Sequence, residues 1–122
     1  MFVYSMKARI IRKKITKEEL VQIVKENFGV MAKVDIDVER EILAIGGEWH
    51  SEGDELLAQD GSLRKNVWGA NFYPFNPPDS RVEYVSLINI KPQFGSRSME
   101  IEDEKTREEI REVIARLLLS ND

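Results

Sequence analysis

The chain of 122 residues contains no cysteine, which removes disulfides, thiolate nucleophiles and sulfur-ligated metals together. Rigidity has to come from packing and charge pairs. Histidine occurs once, at His50, so a zinc site has too few ligands and no metal is expected. No apolar run approaches the ~20 residues needed to cross a bilayer. The stretch 1–11 lacks both the continuous apolar core and the small-residue cleavage site of an export signal, so the expected location is cytoplasmic. Eighteen basic residues stand against 22 acidic ones, and the net charge of -4 argues against broad phosphate neutralisation on nucleic acid. The chain also lacks a Gly-x-Gly-x-x-Gly turn, a phosphate loop ending in Gly-Lys-Ser/Thr and a nucleophilic serine elbow, so it calls for no cofactor.

What is present is the composition of a globular protein with a densely charged surface, 42% hydrophobic and 33% charged. A 14.1 kDa chain buries roughly two-thirds of its unfolded surface, enough for one core. A single domain over 1–122 is therefore expected, with Met6 as an alternative start that makes 1–5 an extension. The abundance of Lys, Arg and Glu without Cys resembles thermophile usage. Internal repeats and low-complexity tracts are absent.

Lys7–Ile11 reads as a first strand, and Thr16 with Glu19 forms a capping box ahead of Leu20, Ile23, Val24 and Phe28 at helical spacing, with Gly29 as the stop. From Val34 the period becomes two, with Val34, Ile36 and Val38 alternating against Lys33, Asp35 and Asp37. The apolar run Ile42–Ile45 completes a hairpin whose turn has no Asn-Gly or Asp-Gly signal, and the strand is expected to continue to His50. A short helix follows over Asp54–Gln59, then a strand over Asn66–Tyr73, a Pro-rich turn from Pro74, and a return strand over Arg81–Lys91. Asp103 caps a last helix with Ile110, Val113, Ile114, Leu117 and Leu118 in one stripe. The order predicts an α+β fold: an antiparallel sheet, two long helices on one face and a short extra helix. The expected core takes the apolar phase of each element: Leu20, Val24, Phe28, Val34, Ile36, Ile45, Trp68, Phe72, Ile88, Ile90, Ile110, Val113, Ile114 and Leu117.

Several pieces together carry a family resemblance: Gly46-Gly47-Glu48-x-His50, Leu56-Leu57-x-x-Asp60-Gly61-Ser62, and Trp68-Gly69-x-Asn71-x-Tyr73-Pro74. They are followed by Ile88-Asn89-Ile90-Lys91-Pro92, Gly95-x-Arg97-Ser98 and Asp103. Over about 6–119 the chain resembles a family of small prokaryotic proteins catalogued as a domain of unknown function. The resemblance implies an α+β domain in a prokaryotic cytoplasm and no particular reaction.

Candidate chemistry centres on Glu48 and His50, which an extended strand would place on one face above the nearly side-chain-free Gly46. If strands 42–50, 66–73 and 81–91 pair in sequence order, Asn89 and Lys91 join them, and the loops bring Asp60, Ser62 and Arg97 to the same end. In that arrangement Arg97 holds a small anion bidentately, Asn89 orients it, and Glu48 fixes the tautomer of His50 as a general base. The competing interpretation is that these groups cap strand ends and satisfy loop amides. Three functions from different classes follow: a binding domain for a small anionic ligand, a hydrolase- or isomerase-like enzyme using His50 and Glu48, and an interaction module. In the last, the Tyr73-Pro74-Phe75 loop or an edge strand meets a partner or a second copy of the chain.

Overall fold

The computed structural model describes residues 7–119, so the proposed extension 1–5 lies outside the described residues. The chain is α+β, built on a five-stranded antiparallel sheet and three α-helices. In chain order these are β1 (Arg9–Ile11), α1 (Lys17–Glu26), β2 (Ala32–Asp37), β3 (Ile42–Ile45), α2 (His50–Gln59), β4 (Val67–Phe72), β5 (Val82–Glu83) and α3 (Glu104–Leu118). The strand order across the sheet is β1-β3-β2-β4-β5. The long connection carrying α2 therefore takes the chain from β3 past β2 to β4, so of the sequential pairing expected for the strands at 42–50, 66–73 and 81–91, β4 with β5 forms and β3 with β4 does not. β2, paired on both sides, is the centre of the molecule.

Period-two alternation divides the central strands cleanly. Val34, Ile36, Leu43, Ile45, Ala70 and Phe72 are buried in one cluster with Leu20, Ile23 and Val24 of α1 and Ile110, Val113, Ile114, Leu117 and Leu118 of α3. A second, smaller cluster holds Ile42 and Ala44 of β3, Val67 of β4 and Leu57 of α2. The cross-strand partners of Ala44 and Ile42 on β2 are Asp35 and Asp37. The sheet thus has one face of aliphatic side chains and another on which two aspartates are wholly buried.

Local chemistry explains the ends of these elements. The Thr16–Glu19 capping box forms as expected, and Asp103 accepts from the Thr106 amide at 3.0 Å. The β2–β3 turn needs no Asn-Gly, because Asp37 Oδ1 accepts from the amides of Glu39 and Arg40, both at 3.0 Å, and Glu41 takes the left-handed conformation at φ 58°. Three expectations are corrected. The strand at 42–50 stops at Ile45, since Gly46 and Gly47 adopt φ of 98° and 91° and turn the chain out of the sheet. The helix expected at 54–59 consequently begins at His50.

The strand expected at 81–91 survives only as Val82–Glu83. Beyond it a strap runs to Glu100, closed by bridges Val85↔Glu100 and Lys91↔Ser96 and by short 3-10 turns, one of them capped by Ser86 Oγ on the Ile88 amide. Alternation alone cannot distinguish such a strap from a strand. In the same way Phe28 and Ile90, expected in the core, are 43% and 41% exposed, because α1 ends before Phe28 and Ile90 follows a turn. Trp68 and Ile88 are only half-buried, each against the edge of a cluster.

Candidate functional site

The two glycines after β3 decide where His50 goes. By leaving the sheet at Gly46 the chain doubles back over the aspartate face, and His50 enters as the first residue of α2. The helix can lie close because Gly53 faces the sheet: a Cβ there would collide with Asp35 Oδ2 and stand 3.2 Å from Ala44 Cβ. His50 is thereby lowered onto Asp35. Its Nδ1 lies 2.9 Å from Asp35 Oδ1 and its Nε2 3.0 Å from Asn71 Oδ1. Asn71 Nδ2 in turn donates to Glu83 Oε1 at 2.8 Å. A single hydrogen-bonded chain therefore runs Asp35–His50–Asn71–Glu83 across β2, α2, β4 and β5.

This chain constrains its protons. Because Asn71 turns its amide nitrogen to Glu83 and its carbonyl oxygen to His50, it presents only an acceptor to the ring, so Nε2 must donate. The contact on the other side also needs a proton between Nδ1 and Asp35 Oδ1. Either an imidazolium faces an aspartate anion, or a protonated Asp35 donates to a neutral ring; both arrangements place two protons on the pair and leave it without net charge. Asp35 is fully buried, and burial pushes its carboxyl up to about 6. The hydrogen bond and charge of His50 pull the other way, Asp54 adds to the rise, and Lys33 opposes it. Its second oxygen, Oδ2, is buried under Gly53 and has no hydrogen-bond partner among the described residues.

Above His50 and Asn71 lies a cavity of about 300 Å³. Lys33, the cross-strand partner of Asn71, flanks the floor. Trp49, Ser51, Val85, Ser86, Leu87 and Ile88 complete the wall. The first turn of α2 borders the same space, and its N-cap, Trp49, makes no side-chain hydrogen bond to it. A helix N-terminus without a side-chain cap carries partial positive charge on outward-facing amides.

The remaining candidates from the sequence are dispersed by the fold. Glu48 is exposed, and its amide donates to Glu52 Oε2 at 2.9 Å; the carboxylate beside His50 is Asp35 instead. Asn89 is wholly buried and braces the strap, accepting from Gly69 N at 2.8 Å and donating to Gly69 O and Met99 O, each at 3.0 Å. Lys91 is buried, donates to Ile88 O at 2.8 Å and lies 5.2 Å from the Trp68 ring centroid; burial lowers its ammonium below the usual lysine range. Asp60 and Ser62 are held by Arg40 at 2.8 and 2.9 Å, and Arg12 also binds Asp60, whose carboxyl these arginines, Arg12 foremost, keep below the usual range.

Arg97 lines a separate cavity of about 250 Å³ together with Trp68, Phe94, Glu100, Glu102 and Asp103. Three carboxylates share that lining with it, an environment that opposes an anion clamp. The convergence of Glu48, His50, Asn89 and Arg97 on one pocket is therefore not what the fold builds. Of the two residues that join His50 instead, Asp35 was legible only as a member of the polar phase of its strand, and Asn71 as one position of the resemblance motif Trp68-Gly69-x-Asn71.

Among the described residues no group of three or more histidine and carboxylate side chains is arranged to hold a metal ion. No described helix is long and apolar enough to cross a membrane. A family model described as a protein of unknown function, DUF5674, matches residues 9–117. No curated protein and no solved structure matched the chain.

Proposed function

We propose that this chain, which belongs to the DUF5674 family of proteins of unknown function, binds a small anion in the cavity above His50 and Asn71. The observation that carries this reading is the meeting at one cavity of Lys33 with the first turn of α2, which has no side-chain cap and whose one carboxylate, Glu52, is engaged by the Glu48 amide. The carboxylates nearest the floor are already engaged, Asp35 by His50 and Glu83 by Asn71. A volume of about 300 Å³ stands at the lower end of the range for small-molecule sites. Arg97 and Lys91, expected as anion contacts from the sequence, have no part in this version of the site.

Calorimetric titration of the full chain with phosphate, sulfate, acetate and benzoate tests the reading. Saturable binding of at least one anion, weakened about tenfold or more by Lys33→Met, is the expected result. Heats that stay at the dilution level for every anion would defeat it.

A second reading is favoured by one contact. A carboxylate at Nδ1 is the arrangement that orients a histidine for proton transfer at Nε2. A catalytic role would therefore use His50 with Asp35 in place of Glu48, and a substrate oxygen would have to displace Asn71 Oδ1 from Nε2. Asn71→Ala should then leave turnover of a substrate intact or raised, whereas His50→Gln should abolish it.

A further inference from the structure

We infer that the ligand of this cavity is an amphiphilic monocarboxylate, its head group against Lys33 and the start of α2 and its apolar body between Trp49 and Leu87. The inference rests on the anion reading above and goes further by naming the chemical class. Three features of the cavity separate that class from phosphate, sulfate and other small, fully hydrated anions.

The first is the division of its lining. Lys33, His50, Asn71 and the buried Ser86 make the more enclosed, polar part of the lining, whereas its most exposed part, the rim, carries Trp49 and Leu87 beside one polar residue, Ser51. Trp49 and Leu87 stand 62% and 73% exposed on it. A fully hydrated inorganic ion would leave both side chains in water, while a ligand with an apolar body removes them from it.

The second feature is that the fold presents these two side chains rather than merely tolerating them. Leu87 opens the 3-10 turn Leu87–Asn89, which Ser86 Oγ caps and which Asn89 ties to Gly69 of β4 through two buried hydrogen bonds. Its exposure is thus held by a braced segment. Trp49 occupies the N-cap of α2, where a short polar side chain would stabilise the helix and tryptophan contributes no capping bond. Neither side chain belongs to either buried cluster.

The third feature is the charge. Lys33 is the only Lys or Arg among the described residues of the lining, and it is a flexible ammonium lying 5.4 Å from the Phe28 ring centroid. Phosphate recognition usually combines several cationic or forked donors, which this lining lacks. One ammonium with a few N–H donors matches one carboxylate.

The test is calorimetry on the full chain with hexanoate and benzoate as probes, against inorganic phosphate and the uncharged benzyl alcohol. Both carboxylates should bind saturably and at least tenfold more tightly than phosphate or benzyl alcohol. Lys33→Met should weaken them about tenfold, and Leu87→Ser or Trp49→Ala severalfold, with far-ultraviolet circular dichroism unchanged for all three exposed or half-exposed positions. Phosphate binding more tightly than the carboxylates, with Leu87→Ser silent, would overturn this inference and leave the anion reading standing. Carboxylate binding indifferent to Lys33→Met, or equal binding of benzyl alcohol, would overturn it through the head group. Absence of binding by phosphate and carboxylates alike would remove both.

Discussion

Asp35 is the residue whose energetics depend most on its neighbours. It is fully buried, its Oδ2 has no hydrogen-bond partner among the described residues, and its carboxyl is held up at about 6 against an ordinary 3.8. The native state therefore retains a proton that the unfolded chain has already released between those values. The resulting stabilisation is whole below about pH 4 and is lost as pH rises through about 6. Measured by urea denaturation, wild-type stability minus that of Asp35→Asn should accordingly decrease from about pH 4 to pH 7. A difference flat across that interval would show that Asp35 is not the titrating group. Gly53 provides the complementary test. Gly53→Ala gains up to ~1 kcal/mol of helix propensity but forces a methyl against Asp35 Oδ2 and Ala44, an overpacking that typically costs about 1–3 kcal/mol. A lowered urea midpoint is expected; a raised one would mean that α2 is not seated on the aspartate face.

The helices are stabilised at their ends by local contacts and along their length by burial. Asp103 accepts from both the amide and the hydroxyl of Thr106, at 3.0 and 2.7 Å, and these bonds hold its carboxyl below the usual range. A depressed native value means stability that is present at neutral pH and lost in acid as pH falls through it. Asp103→Ala should therefore lower the melting temperature at pH 7, and the gap from wild type should close on acidification. The length of α3 is a different matter. Ile114 is 2% exposed within the main cluster, so Ile114→Ala should cost on the order of 2–5 kcal/mol by cavity formation. A loss below about half a kcal/mol would place that face of α3 in solvent. The ion pairs on the outer faces, such as Arg111 with Glu104 at 3.0 Å, involve largely exposed side chains and add little.

At the scale of the molecule, the strap from Val85 to Glu100 has few bonds to the sheet, and Asn89 makes the buried ones. Its side chain serves the amide and carbonyl of Gly69 in β4 and the carbonyl of Met99 at the far end of the strap. Asn89→Ala would take this partner from the amide and carbonyl of Gly69, each costing about 1–3 kcal/mol if it stays dry, whereas the Met99 carbonyl keeps the Ser86 amide at 3.0 Å. The expected outcome is a marked fall in stability together with faster amide hydrogen exchange across 85–100. Unchanged exchange there would mean that the two isolated bridges and the 3-10 turns hold the strap by themselves. Since Leu87 of the cavity rim stands on this strap, Asn89 also governs the cavity from a position outside it.

What could be read along the chain was whatever depends on near neighbours. The capping box at Thr16, the cap at Asp103, the hairpin of β2 with β3 and the apolar phases of Val34, Ile36, Leu43 and Ile45 each involve contacts within a few residues or a strict period. His50 was also recognisable as the place to look, being the single histidine beside two glycines. Its surroundings were not, because they depend on which strands pair. Alternation places Asp35 on the face opposite Val34, but whether that face meets water or a helix follows from the register Asp35↔Ala44 and from α2 folding back over it. Asn71 reaches His50 only because β4 pairs with β2 and not with β3. Strand order is set by the summed burial of many distant contacts, and no local pattern encodes it. For the same reason an apolar alternation over 81–91 could resolve into a strap that keeps Leu87 in solvent, and the imidazole of His50 could find its carboxylate fifteen residues upstream instead of two.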